Sequence, residues 1–219
     1  MNRCVIICGA PNVDVDFIKQ EIHKTGQIKN DDTGDFVICA DSGYAYAQKA
    51  GIKPDLLVGD FDSFFGALPE DIPTVTLKTH KDDTDSMHCA AVALERGYKE
   101  VVLLAATGGR LDHTLANISV LQYLTQNGTK ATMLSDNEEV FCLPEGSYTM
   151  DNVKGKTFSV FPFGCPEVTV TYNCKVEYPV ERLKILSSDT IGISNIFHDD
   201  RAEVVIDSGT AVFILEKTV

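Results

Sequence analysis

Short apolar runs punctuate the first two thirds of the chain: Val5–Cys8, Phe36–Ala40, Leu56–Val58, Val75–Leu77 and Val101–Ala105. Each is too short for a helix and is followed by polar or glycine-rich chain, so each predicts a strand. The run Val101-Val102-Leu103-Leu104-Ala105 has no polar alternation, which suits a strand covered on both faces. Helical spacing lies between the runs. Met87, Ala90, Ala91 and Leu94 recur at i, i+3, i+4 and i+7, predicting a helix that starts near Thr84 and stops at Gly97. Another helix is predicted to start near Leu111, with Leu115 and Ile118 on one face. This alternation predicts an α/β domain, a mostly parallel sheet with helices on both faces.

After about Asp136 helical periodicity disappears and strand signals dominate. Val168, Val170 and Tyr172 alternate with Thr169 and Thr171, the pattern of a half-buried strand. Ala202–Ile206 and Ala211–Leu215 flank the turn-forming Asp207-Ser208-Gly209-Thr210 and read as a hairpin. A boundary between Asp136 and Gly146 divides the chain into an α/β domain, 1–140, and a small all-β, antiparallel domain, 141–219.

Composition narrows the function classes. With 44% hydrophobic and 23% charged residues, the chain of 219 residues is an ordinary globular protein. Its 32 acidic and 19 basic residues give a net charge of −13, which argues against nucleic acid as a partner. Any nucleotide site must therefore supply local cations. No apolar run approaches the ~20 residues of a membrane span, and Cys4–Ala10 is too short for a signal-peptide core. The seven cysteines, at 4, 8, 39, 89, 142, 165 and 174, have no zinc spacing. They read as free thiols in a reducing cytoplasm, with Cys4, Cys8 and Cys39 in the core.

The candidate chemistry follows the strands. In an open parallel sheet, ligands bind at the carboxyl ends of the strands. Those ends carry Asp41-Ser42-Gly43, Gly59-Asp60-Phe61-Asp62-Ser63, Lys81-Asp82-Asp83-Thr84-Asp85 and Thr107-Gly108-Gly109-Arg110-Leu111-Asp112-His113. In extended chain Asp60 and Asp62 point to the same side, where two carboxylates favour a cation between them. Hard oxygen ligands suit Mg²⁺, though a solvated Asp-rich turn explains the pair alone equally well; Asp85 at a neighbouring strand end favours the metal. Thr84 and Asp85 also suit a helix N-cap. Thr107-Gly108-Gly109-Arg110 offers backbone N–H groups at a helix start, and Arg110 a guanidinium fork for phosphate. Asp112 could cap the helix, hold Arg110 or hold a metal-bound water; for His113 a structural hydrogen bond is favoured over acid–base work. Walker, Rossmann, H-E-x-x-H and G-x-S-x-G motifs are absent. The residues alone indicate a Mg²⁺-dependent enzyme acting on a phosphoanhydride.

The same residues resemble the thiamine pyrophosphokinase family. Pro54-Asp55-Leu56-Leu57-Val58-Gly59-Asp60-Phe61-Asp62-Ser63 is similar to its P-D-x-x-x-G-D-F-D-S, Asp82-Asp83-Thr84-Asp85 to its D-x-T-D, and Gly108-Gly109-Arg110-Leu111-Asp112-His113 to its G-G-R-x-D-H. Tyr178-Pro179-Val180 and Gly192-Ile193-Ser194-Asn195 resemble its Y-P-L and G-x-S-N segments. Ser42, Met87 and Ser188 depart from the family's usual residues without removing a carboxylate or the arginine. The resemblance implies an ATP-binding α/β domain, a thiamine-binding β-sandwich, and a homodimer with sites at the subunit interface. It implies transfer of the β,γ-diphosphoryl group of ATP to the hydroxyl of thiamine, giving AMP. On that reading Asp60, Asp62 and Asp85 hold Mg²⁺ and, with Arg110 and Asp112, carry the chemistry. Asp41, Gly43, Ser63, Thr84, Thr107, Gly108, Gly109, Arg110 and His113 bind ATP; Ser194, Asn195 and Phe197 bind thiamine. Two rival readings are a pyrophosphokinase for another heterocyclic alcohol, such as a pterin, and a nucleotide-binding regulator without turnover.

Overall fold

The structure is a computed structural model, and it describes residues 3–23, 34–61, 68–78 and 82–217. The chain forms two compact units, Met1–Asp136 and Asn137–Val219.

The first unit is built on strands β1 (Cys4–Ile7), β2 (Phe36–Ala40), β3 (Leu56–Gly59), β4 (Thr74–Thr76), β5 (Glu100–Leu104) and β6 (Lys130–Leu134). They pair in parallel in the order β6-β5-β1-β2-β3-β4. Helices α1 (Val15–His23), α2 (Gly43–Ala50), α3 (Asp85–Glu95) and α4 (Leu111–Gln126) connect them. On one face Val5, Ile7, Val37, Cys39, Leu57 and Leu104 pack against Ile18 and Ile22 of α1 and Tyr44, Ala47 and Ala50 of α2. The alternate residues Ile6, Ile38, Val101 and Leu103 are buried on the other face, where α3 and α4 lie. Both faces are covered, which is why these strands read as unbroken apolar runs. The exception is β4, an edge strand whose three residues are all exposed.

Two helix faces differ from expectation. The buried stripe of α3 is Ser86, Cys89, Ala90 and Ala93, one residue around from the predicted face, and only Ala90 is shared. Met87, Ala91 and Leu94 are half-buried. Small side chains let the helix lie close against the sheet, so size outweighs hydrophobicity in choosing the face. On α4 the buried residues are Asn117, Val120, Leu121 and Leu124, while Leu111 and Leu115 are 71% and 50% exposed.

The second unit contains β7 (Glu138–Leu143), β8 (Gly146–Asp151), β9 (Thr157–Pro162), β10 (Glu167–Tyr172), β11 (Leu183–Leu186), β12 (Asn195–Ile196), β13 (Arg201–Ser208) and β14 (Ala211–Glu216). Within it β12-β9-β14-β7 lie side by side, as do β11-β10-β13-β8, with antiparallel pairing throughout. Residues from both sheets share one core. Phe158 stacks on Phe197 at 4.1 Å and on Phe213 at 5.3 Å between ring centroids. In β10 Val168, Val170 and Tyr172 point into that core, as their alternation predicts.

The predicted hairpin does not form. β13 pairs with β8 and β10, whereas β14 pairs with β7 and β9, so the two strands belong to different sheets. Ala202, Val204 and Ile206 face the same core as Ala211, Phe213 and Leu215. Two apolar faces can satisfy each other across a core as well as side by side, and alternation does not distinguish these. Gly209 makes the corner: its φ is +86°, and a Cβ there would come within 2.6 Å of the Glu167 carbonyl oxygen.

Candidate active site

Because all strands of the first unit run in parallel, the loops after β1, β2, β3 and β5 share one edge. The chain runs outward from β1 to β4, then crosses to β5 on the other side of β1. This reversal opens a crevice between the loops after β1 and β5, the expected ligand position in such a sheet. The cavity there measures about 550 Å³. The β1 loop (Cys8, Gly9, Ala10, Pro11) and Ala40, Asp41 and Ser42 after β2 line it. The start of α3 (Thr84, Asp85, Ser86) and Ala106, Gly108, Gly109, Arg110, His113, Ala116 and Asn117 complete the wall.

Backbone conformation aims these loops. Asp41, Phe61 and Ala105, each just past a strand, have φ of 44°, 56° and 51°. A left-handed non-glycine residue costs about 1–3 kcal/mol, and such residues gather at functional sites. The loops are cross-linked through backbone bonds: Asp41 N–H donates to Val58 O at 2.8 Å and Ala10 N–H to Ala105 O at 2.9 Å.

The N-termini of α2, α3 and α4 all open at this edge, bringing three positive dipole ends together. Thr84 caps α3: its Oγ1 accepts the Met87 N–H at 3.3 Å and lies 3.0 Å from Ser86 Oγ. It therefore serves as cap and crevice wall together. Arg110 is the N-cap residue of α4. Its Nε donates to Asp112 Oδ1 at 3.1 Å and its Nη2 to Asp112 Oδ2 at 2.6 Å. Asp112 Oδ1 also accepts the His113 N–H at 3.0 Å. Of the roles open to Asp112 in the sequence, holding Arg110 is made here, and its contact with the His113 N–H lies within the first turn of α4. Hydrogen bonding to Arg110, then to the His113 N–H, holds the Asp112 carboxyl below its usual range, and the same pairing raises Arg110.

The structure brings Asp41, Thr84, Asp85, Gly108, Gly109, Arg110 and His113 into one crevice. Asp60 follows β3 on the same edge. Gly43 and Thr107 are not among the lining residues; Gly43 is needed for packing, since a Cβ there would run into the Ile7 carbonyl. Asp62 and Ser63 lie outside the described residues. Among the described residues, no three His, Cys, Asp or Glu side chains gather as a metal site. The β1 loop, Ser86 and Asn117 were missed in the sequence. The Gly9-Ala10-Pro11 that follows a central apolar run was the available signal for the first.

The second unit treats its expected ligand residues differently. Ser194 is exposed, with φ of 56°, and its N–H donates to Ser159 Oγ at 3.1 Å. Asn195 is buried and its amide is committed to backbone: Nδ2 donates to Tyr178 O at 2.8 Å, while Oδ1 accepts the N–H of Tyr178 at 3.0 Å and of Ile196 at 2.9 Å. Phe197 is wholly buried in the aromatic core and has no face for a ligand ring. The expectation that Phe197 binds thiamine meets a side chain that is wholly enclosed by the core of this unit. What Asn195 holds in place is Tyr178, whose side chain is exposed together with Ile191 and Ile193.

Comparison with known proteins follows this division. A family described as thiamin pyrophosphokinase, catalytic domain, matches residues 30–133, and one described as thiamin pyrophosphokinase, vitamin B1 binding domain, matches residues 147–211. The thiamine pyrophosphokinase of Bacillus subtilis is 28% identical over 185 residues, covering 81% of this chain and 85% of that protein. Thiamine pyrophosphokinase 3 of Oryza sativa is 27% identical over 171 residues, covering 71% of this chain and 63% of that protein, so the chain spans less than two thirds of the rice relative. Among solved structures, Bacillus subtilis thiamine pyrophosphokinase superposes with a TM-score of 0.82 at 22% identity, covering 100% of both chains. The Candida albicans thiamin pyrophosphokinase does so with a TM-score of 0.76 at 14% identity, covering 99% of this chain and 89% of that one. Fold and site together define an enzyme with a parallel α/β catalytic unit followed by an antiparallel β unit. The chain belongs to the thiamine pyrophosphokinase family.

Proposed function

We propose that the protein transfers the β,γ-diphosphoryl group of ATP to the primary hydroxyl of thiamine, releasing AMP. The observation that carries this reading is the crevice: three helix N-termini and Arg110 converge on one cavity in a protein whose net charge is otherwise −13. Attack at the β-phosphorus places negative charge on the transferred group and on the departing AMP. Positioned donors stabilise that charge without covalent chemistry. A guanidinium has five N–H donors, and Asp112 occupies two of them in Arg110, leaving the other edge for phosphate oxygens. Asp112 thus orients Arg110, and the Gly109 backbone takes a further oxygen, on a turn steadied by the Gly108 N–H donating to Thr114 Oγ1 at 3.3 Å.

Asp60, Asp62 and Asp85 would hold Mg²⁺ together with phosphate oxygens; carboxylates at strand ends are the hard donors this ion takes. Held there, the ion would neutralise phosphate charge in an acidic protein. The α/β unit, Met1–Asp136, is the ATP-binding catalytic part, and the β unit, Asn137–Val219, which takes the whole of β7 and so moves the expected boundary at 140, contributes the thiamine site. Ser194 and the exposed Tyr178 ring, held by Asn195, support the second assignment. A homodimer that shares its sites would cover two exposed apolar patches, Leu111 with Leu115 and Tyr178 with Ile191 and Ile193. Free cysteines throughout the described chain suit a reducing compartment such as the cytoplasm. No helix among the described residues is long and apolar enough to cross a membrane.

The test is product analysis with ATP, Mg²⁺ and thiamine. One AMP is expected per thiamine diphosphate formed. ADP as first product overturns the reading in favour of an ordinary kinase; AMP formed only with a hydroxymethyl pterin moves it to the pterin alternative.

A further inference from the structure

Residues 8–11, which follow β1, carry no charged side chain, yet they form one wall of the crevice, and their position is set from outside. Tyr46, on α2, donates its hydroxyl to Ala10 O at 2.7 Å while its ring packs on the core between α2 and the sheet. The Ala10 N–H donates to Ala105 O at 2.9 Å, so both ends of this residue are held. Pro11 follows, with its ring against Gly109: a Cβ on Gly109 would come 2.5 Å from Pro11 Cδ and 2.6 Å from Cγ. Pro11 therefore limits where the Gly108-Gly109 turn can sit. On the opposite wall Asn117 Nδ2 donates to Ala106 O at 2.8 Å, fixing the chain just before that turn.

We propose that Tyr46 is a positioning residue of the nucleotide site, which through the Ala10 carbonyl and Pro11 sets the place of the Gly109 backbone, with Asn117 and the Gly108 N–H, which donates to Thr114 Oγ1 at 3.3 Å, fixing the same turn from the other side. This rests on the reading of the crevice as the ATP site. Tyr46 is not among the residues that line the crevice; its effect passes through one hydrogen bond and one van der Waals contact. The phosphate-binding N–H groups are useful only if held close to their working geometry before the ligand arrives.

The test is Tyr46→Phe, which keeps the packed ring and deletes the hydroxyl; Tyr46→Met makes the same deletion should the Phe variant aggregate. One neutral hydrogen bond is worth about fivefold in an equilibrium. The KM for ATP should rise by about that factor and the affinity for inorganic tripolyphosphate, read by calorimetry, should fall by it. The KM for thiamine should stay within about twofold. A purely structural hydroxyl would lower the melting temperature and leave both phosphate readouts unchanged, and that result overturns the proposal. Tyr46→Phe with Asn117→Ser should be non-additive, since both act on one turn; strict multiplication of their effects on ATP also overturns it. Failure of the parent protein to form AMP or bind tripolyphosphate would remove the underlying reading instead, and is seen before any variant is made.

Discussion

The crevice of the α/β unit and the Tyr178 end of the β unit both carry family-like motifs, and the two use them in opposite ways. In the first unit the motif residues stand at strand tips, with Asp41, Thr84, Asp85, Arg110 and His113 facing one cavity. In the second, Asn195 is spent on backbone and Phe197 on the core, leaving their neighbours Ser194 and Tyr178 exposed. A motif can therefore mark a site either by supplying its ligands or by fixing the chain that supplies them. Substitution should separate the two, since ligands affect turnover and supports affect stability.

The largest expected effect is on turnover. Asp85→Ala should lower kcat/KM about a thousandfold or more, roughly 4 kcal/mol of transition-state stabilisation, while the thermal midpoint stays within about 2 °C. Phe197→Ala, by contrast, should cost about 3–5 kcal/mol of unfolding free energy in denaturant titration, because it empties a stacked core site. Full stability with a raised KM for thiamine would break the comparison by making Phe197 a ligand after all. Arg110→Lys should lose about a hundredfold in kcat, since a point charge cannot grip Asp112 and phosphate together. Asn195→Ala leaves the Tyr178 N–H and carbonyl without their partner and should cost about 2 kcal/mol, with any loss of activity concentrated in the KM for thiamine.

The smallest effect concerns pH. Because Arg110 holds the Asp112 carboxyl below its usual range, Asp112 is ionised across the window from pH 5 to 8. Whatever the pair adds to stability is present above the unfolded carboxyl pKa and is lost only as pH falls through the still lower folded value. Asp112→Asn should then lower the rate by weakening its hold on Arg110, while the rate profile between pH 5 and 8 keeps its shape. A shift of the acid limb in that window would give Asp112 a proton-transfer role instead.

The α/β unit was largely legible because its information is local. Continuous apolar runs give β1, β2, β3 and β5, and Thr84 gives the start of α3 through its own side chain. Parallel pairing then places all strand ends on one edge without further assumption. Partner choice was not legible: the chain through Gly209 carries good turn chemistry, yet β13 and β14 separate into two sheets, a decision made by strands distant in sequence. Helix faces failed for a related reason. Leu111 and Leu115 have helical spacing but point outward, whereas Ser86 and Asn117 are buried because the close packing of α3 and the Ala106 carbonyl require them.

Cys8 lies in the crevice wall, is 4% exposed, and burial pushes its thiol up to about 12. At neutral pH the thiol then stays protonated, and the thiolate that alkylating reagents attack is scarce. Labelling of Cys8 must wait for the end of β1 to lift away from its cover, so its rate is a clock for local opening rather than a measure of reactivity. The half-buried Cys165 and Cys174 supply faster reference signals within the same molecule. Pulse alkylation followed by mass spectrometry would thus time the breathing of the crevice in the unmodified chain, and a nucleotide seated there would slow that clock alone.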